Sequence, residues 1–134
     1  MAYSSKYLET EVFSADPVKL VCILYRGAID AVAAARRHLQ AREIRQRSKN
    51  IMRAYAILQE LSRSLDPQYE ISGKLCALYV YMQRQLLEAN AKQIDTPLAE
   101  VERLLTTLLE GWKAAVPAPL PVAAEKYEPV SCTY

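Results

Sequence analysis

Glycine, cysteine and histidine are scarce in this chain of 134 residues, which holds three Gly, three Cys and one His. So little glycine leaves no Gly-rich phosphate loop and no nucleophile elbow. The single His38 has no second His, and no Cys or carboxylate at ligand spacing, which argues against a metal site and against a histidine-assisted nucleophile. Cys22, Cys76 and Cys132 are odd in number and far apart, and two of them sit in apolar runs. They read as small hydrophobes in a reducing compartment rather than as a disulfide framework. No stretch reaches the roughly 18 apolar residues of a membrane span. The amino terminus, MAYSSKYLETEVF, lacks the charged start and long apolar run of an export signal. These absences set the expectation of a soluble, cytosolic protein without enzyme activity, cofactor or membrane insertion.

What is present is helix-forming and apolar: 51% of residues are hydrophobic, and Ala, Leu, Arg and Gln dominate between the first and last prolines. The length suits one domain with a sizeable core. Asp16-Pro17 is a helix start, with Asp able to cap and Pro favoured just inside the first turn. The helix that follows runs to about Leu39. Its polar residues Lys19, Arg26, Asp30 and Arg37 fall in a stripe only some 40° wide at 100° per residue. A second helix is marked by Ile44, Ser48, Ile51, Tyr55, Leu58, Ser62 and Leu65, ending at Asp66-Pro67. The third, Ile71 to Asn90, carries Leu75, Tyr79, Met82, Leu86 and Ala89 on one stripe. Cys76, Val80 and Leu87 lie on another face, so one neighbour cannot cover it and it should be central. Asp95-Thr96-Pro97 opens the fourth, whose Leu98, Val101, Leu104, Leu105, Leu108, Leu109 and Trp112 form the cleanest amphipathic pattern. Glu100 and Glu102, two apart, point in different directions and make no catalytic pair; they read as a solvated face. The fold expected is all-α, an antiparallel up-down bundle of four long helices (residues 16–115). A short N-terminal helical segment (1–15) precedes it and a Pro-rich flexible tail (116–134) follows.

Two features bear on function. The first helix carries more apolar surface than a small bundle usually hides. It is either the bundle's most buried member or supplies part of a groove for another polypeptide. From Arg36 to Arg53 seven cations (Arg36, Arg37, Arg42, Arg45, Arg47, Lys49, Arg53) face one acid, Glu43. No aromatic residue interleaves before Tyr55, so a solvated face and turn is the plainer reading than a nucleic-acid surface. The amino-terminal segment, with Tyr7 and Val12, is open between a frayed end and a removable cap over a groove. The competing functions are a basic helical nucleic-acid-binding protein and a self-associating structural module.

Val12-Phe13-Ser14-Ala15-Asp16-Pro17, then Leu20 and Ile23-Leu24-Tyr25-Arg26-Gly27, resembles the start of the FliS flagellar secretion chaperones, with their V-x-T-A-x-P and L-M-L-Y-x-G segments. Leu75, Leu78-Tyr79-Val80-Tyr81-Met82, Arg84, Leu86 and Glu88-Ala89-Asn90 follow the family's L-x-x-L-Y-x-Y-M-x-R-x-L-x-E-A-N. Departures are Asp16 for Ser or Thr, Ile23 for Met and Val80 for Asp, and the Gly-Gly common before the third helix is missing. The likeness spans residues 7–113. It implies a cytosolic export chaperone that binds the disordered C-terminal region of flagellin, prevents premature polymerisation and hands it to the flagellar export apparatus. A homodimer that dissociates on client binding is compatible with this. The resemblance places Leu20, Ile23, Leu24, Tyr25, Leu75, Tyr79 and Tyr81 around the flagellin-binding groove, and Tyr7 and Val12 in an N-terminal cap.

Overall fold

The computed structural model describes residues 17–115. They form four helices, α1 (Pro17–Gln40), α2 (Ile44–Arg63), α3 (Glu70–Lys92) and α4 (Thr96–Ala114), packed as a bundle. Residues 1–16 and 116–134, with Tyr7, Val12 and the capping Asp16, lie outside the described residues. Helices α1 and α3 each pack against both α2 and α4, so α1 and α3 face each other across a diagonal.

The periodicity of each helix accounts for its buried stripe. On α3, Leu75, Tyr79, Met82, Leu86 and Ala89 are all buried; on α4, Leu98, Val101, Leu105, Leu109 and Trp112 are. The narrow polar stripe of α1, Lys19, Arg26, Asp30 and Arg37, is exposed. Ala28, Ala31 and Ala35 are sealed beneath the neighbouring helices. Gly27 belongs to the same close approach, since a Cβ there would stand 3.4 Å from Ile57 Cδ1 of α2. The expectation that the third helix is central needs correction. α1 is the more heavily packed of the two, and Leu87 on α3 stays 44% exposed because no element among the described residues covers the outer side of the α2–α3 seam.

Polar groups lock the seams. Both oxygens of Asp95 are taken by Arg36, whose Nε and Nη2 donate at 2.8 and 2.9 Å, while Nη1 donates to Glu102 Oε1 at 3.0 Å. That explains why Asp95, the residue preceding α4, makes no side-chain capping bond. Glu100 turns the other way and accepts from the Tyr81 hydroxyl of α3. Glu100 and Glu102 are therefore half-buried braces to opposite neighbours, not the solvated face their spacing suggested.

On the far side, Arg47 of α2 is only 4% exposed and has no carboxylate partner among the described residues. Its guanidinium donates to Asn90 Oδ1 (3.1 Å), Gln93 Oε1 (3.3 Å) and the Asn90 carbonyl (3.4 Å). It thus holds the carboxyl-terminal turn of α3, where helix carbonyls run out of amide partners and a cation suits the dipole. Ser48 donates to the same Asn90 Oδ1, and Gln83 donates to the Tyr55 carbonyl. These bonds pair rising numbers on α2 with falling numbers on α3, so the two helices run in opposite directions. Gln93 closes α3 in the left-handed conformation at φ 56°, and Arg42 takes a similar one, φ 60°, in the turn between α1 and α2.

Cys22 is a buried free thiol, as the apolar context suggested, whereas Cys76 is disulfide-bonded. Separation along the chain says nothing of sulfur proximity in the fold, which is what decides pairing.

At the middle of the core the Tyr25 and Tyr79 hydroxyls meet at 2.5 Å across the α1–α3 diagonal. Both rings are essentially sealed from solvent, and Trp112 stacks obliquely on Tyr25 at 6.4 Å between centroids. Burial pushes the Tyr25 phenol up to about 12 and Tyr79 well above its usual value, because ionisation would strand a charge in the core.

Two stability predictions follow from these contacts. An unfolded tyrosine ionises near 10, so the folded state holds its protons to higher pH than the unfolded one. Stability should be full below about pH 10 and fall on the order of 2 kcal/mol towards pH 12. Urea midpoints measured across that window should drop steeply in the wild type and less in Tyr25→Phe/Tyr79→Phe; parallel curves would refute the assignment. Arg47→Ala should cost about 1–3 kcal/mol by the same assay, since it removes a charged donor from three acceptors.

Candidate functional site

An apolar hollow of about 240 Å³ opens between α3 and α4 at the end of the bundle where α4 stops. Ile71 and Leu75 form one wall and Leu108, Gly111 and Trp112 the other, with Thr107 at the edge. The helix periods produce it. Ile71 and Leu75 are one turn apart on α3, as are Leu108 and Trp112 on α4, so the four side chains face each other across the seam. Gly111 contributes no side chain, and a Cβ there would meet nothing within 4 Å. The space beside Trp112 is therefore left unfilled. Ile71 stands at the mouth and is 50% exposed, whereas Leu75 and Trp112 are buried as the floor.

The seven residues expected around a groove occupy three kinds of place. Leu75 lines the hollow. Tyr25 and Tyr79 are sealed in the core, joined to each other and, through Tyr25, to Trp112, so they support the floor from beneath. Ile23 is also buried. Leu20 and Leu24 are half-buried on α1, and Tyr81 is half-buried on the α3–α4 seam through its bond to Glu100. Because α1 and α3 are diagonal, the α1 leucines do not share the hollow with Leu75. Ile71, Leu108 and Trp112 were read from sequence as a helix start and a core stripe. The signal that could have marked them was Gly111, which interrupts an otherwise bulky apolar helix end.

The basic run does not act as one surface. Arg36 is clamped by two carboxylates, which raise its already high pKa further, and Arg47 is buried. His38 Nδ1 pairs with Glu43 Oε1 at 2.9 Å, so the one acid in the run is engaged too. Among the described residues there is no cluster of three potential metal ligands, and no helix long and apolar enough to cross a membrane.

The sequence matches the family described as flagellar protein FliS over residues 1–119. It is 33% identical over 110 residues to the flagellar secretion chaperone FliS of Bacillus subtilis, covering 82% of this chain and 83% of the relative. Against the protein of the same name from Salmonella typhimurium the figures are 34% over 119 residues, 87% and 88%. The Escherichia coli protein, again a flagellar secretion chaperone FliS, is 31% identical over 121 residues, 88% of this chain and 89% of its own length. A likeness that runs through all four helices and covers more than four-fifths of each of these chains places this protein in the FliS family of flagellar secretion chaperones, a family of chaperones and not of enzymes.

Proposed function

We propose that this chaperone binds the disordered C-terminal region of flagellin in the cytosol, keeps it from polymerising early and delivers it to the flagellar type III export apparatus. The observation that carries the reading is the open apolar hollow on a member of this family, with Ile71 exposed at its mouth and Leu75 and Trp112 as its floor. A hollow of that size accepts one or two large apolar side chains, the kind of anchor an amphipathic helix inserts into a groove. The client's ordering cost, typically about 2–5 kcal/mol, is offset by burial of its apolar face against these residues.

Leu75 contacts the client directly in this reading, and Tyr25 and Tyr79 hold Trp112 and α3 in place beneath it. Leu20, Ile23 and Leu24 on α1 and Tyr81 at the α3–α4 seam form the remainder of a surface around which an extended client wraps. Tyr7 and Val12, in the segment preceding α1, compete for the hollow as a cap when no client is bound. The clamping of Arg36 by two carboxylates and the burial of Arg47 weaken the rival nucleic-acid reading, since two of its seven cations are engaged within the protein.

Calorimetric titration with a peptide covering the C-terminal region of flagellin tests the reading, with circular dichroism of the mixture. Equimolar binding with added helicity is expected, and Ile71→Asp should weaken it by at least about tenfold while leaving the bundle folded. Leu24→Asp asks the same of α1. No heat and no spectral change with a folded chaperone would reject flagellin as the client. Deleting residues 1–12 should tighten binding, because apparent affinity scales with the open fraction. Unchanged or weaker binding would reject the competing cap.

A further inference from the structure

The outer side of the α2–α3 seam combines two features the client hollow does not use. On α2, Arg45, Lys49 and Arg53 recur every four residues and form one exposed row about 12 Å long. None of the three has an ion-pair partner among the described residues. The nearest acids in sequence are already engaged, Glu43 by His38 and Glu60 by Arg63.

Beside this row lie exposed apolar side chains. The bonds from Ser48 to Asn90 and from Gln83 to Tyr55 set a register in which Met52 falls level with Leu87, 46% and 44% exposed. Two turns earlier on α2 stands Ile44, 57% exposed. It is one turn before Arg47, which reaches Gln93, so Ile94, 39% exposed, shares that end of the seam. Two apolar pairs thus straddle the seam about two helical turns apart, with the cationic row along one side.

We propose that this seam is a second docking surface, for an acidic amphipathic helix of another polypeptide. The groove between two packed helices accepts the side-chain ridge of a third. The spacing of the pairs matches apolar residues two turns apart on such a helix, and the unpaired cations match carboxylates on its flank. A nucleic acid would leave Ile44, Met52, Leu87 and Ile94 facing phosphates, which is why a peptide fits better. The surface lies on the side of α3 away from the hollow, so both can be occupied together, and the proposal does not depend on the identity of the client.

The test uses the full chain and a fluorescein-labelled helical peptide of about 18 residues. The peptide has leucines at three- and four-residue spacing on one face and glutamates on one flank, and binding is read by anisotropy. Binding is expected, with a loss of at least about tenfold in either Arg45→Glu/Lys49→Glu or Met52→Ser/Leu87→Ser. All four positions are exposed or at the rim, and circular dichroism confirms that the variants fold. Lysine in place of the glutamates, or serine in place of the leucines, should abolish binding. Prior saturation with the flagellin peptide should leave binding intact. Loss of binding on saturation would place the probe in the client site and overturn the proposal, as would no binding at about millimolar peptide. It would also be overturned if an oligonucleotide or phosphatidylserine vesicles bound as well and only the charge variant lost affinity, which is a general polyanion surface.

Discussion

The hydroxyl contact between Tyr25 and Tyr79 is the interaction on which the rest of this bundle depends, because it joins the two helices that do not pack side by side. Four helices in a square are held along their edges by apolar stripes, and those stripes alone tolerate sliding of one diagonal pair relative to the other. A hydrogen bond at 2.5 Å between two sealed phenols removes that freedom, since a shift would leave buried polar groups unpaired. Trp112 rests on Tyr25, so the same contact fixes the floor of the hollow between α3 and α4. The core and the apolar hollow are therefore coupled mechanically.

α3 mediates between them. Its stripe of Leu75, Tyr79, Met82, Leu86 and Ala89 enters the core, while its two flanks do different things. One meets α4 imperfectly and leaves the apolar hollow; the other is pinned to α2 by Arg47, Ser48 and Gln83. A helix covered on one face and unfinished on another suits a protein whose partner completes its packing.

Charges in this protein serve position more than recognition. Arg36 fixes α1 to the start of α4, and Arg47 caps the end of α3 from a neighbouring helix, a device local sequence does not reveal. Glu100 and Glu102 brace α4 against different neighbours because two residues on a helix are about 200° apart. Among the described residues, the cations on the outer side of α2 make no ion pair and form an exposed row.

Local chemistry made the four helices legible from sequence. Period-3.6 apolar stripes mark Tyr79 and Leu75 as inward-facing, and Pro17, Pro67 and Pro97 mark boundaries, because these depend only on residues a few positions apart. Family membership was legible in the same way, from ordered motifs around Leu24-Tyr25 and Leu78 to Met82. Separating core from groove was not possible at that level. Tyr79 and Leu75 lie on the same apolar stripe, and one is sealed in the core while the other lines a cavity, a difference decided by what a neighbouring helix brings opposite. The pairing of Arg36 with Asp95, the burial of Arg47 and the vacancy beside Gly111 likewise arise only when distant segments meet. The sequence by itself determined which elements form and which of their faces are apolar; the tertiary structure decided which apolar face is left uncovered, because coverage is a property of pairs of helices.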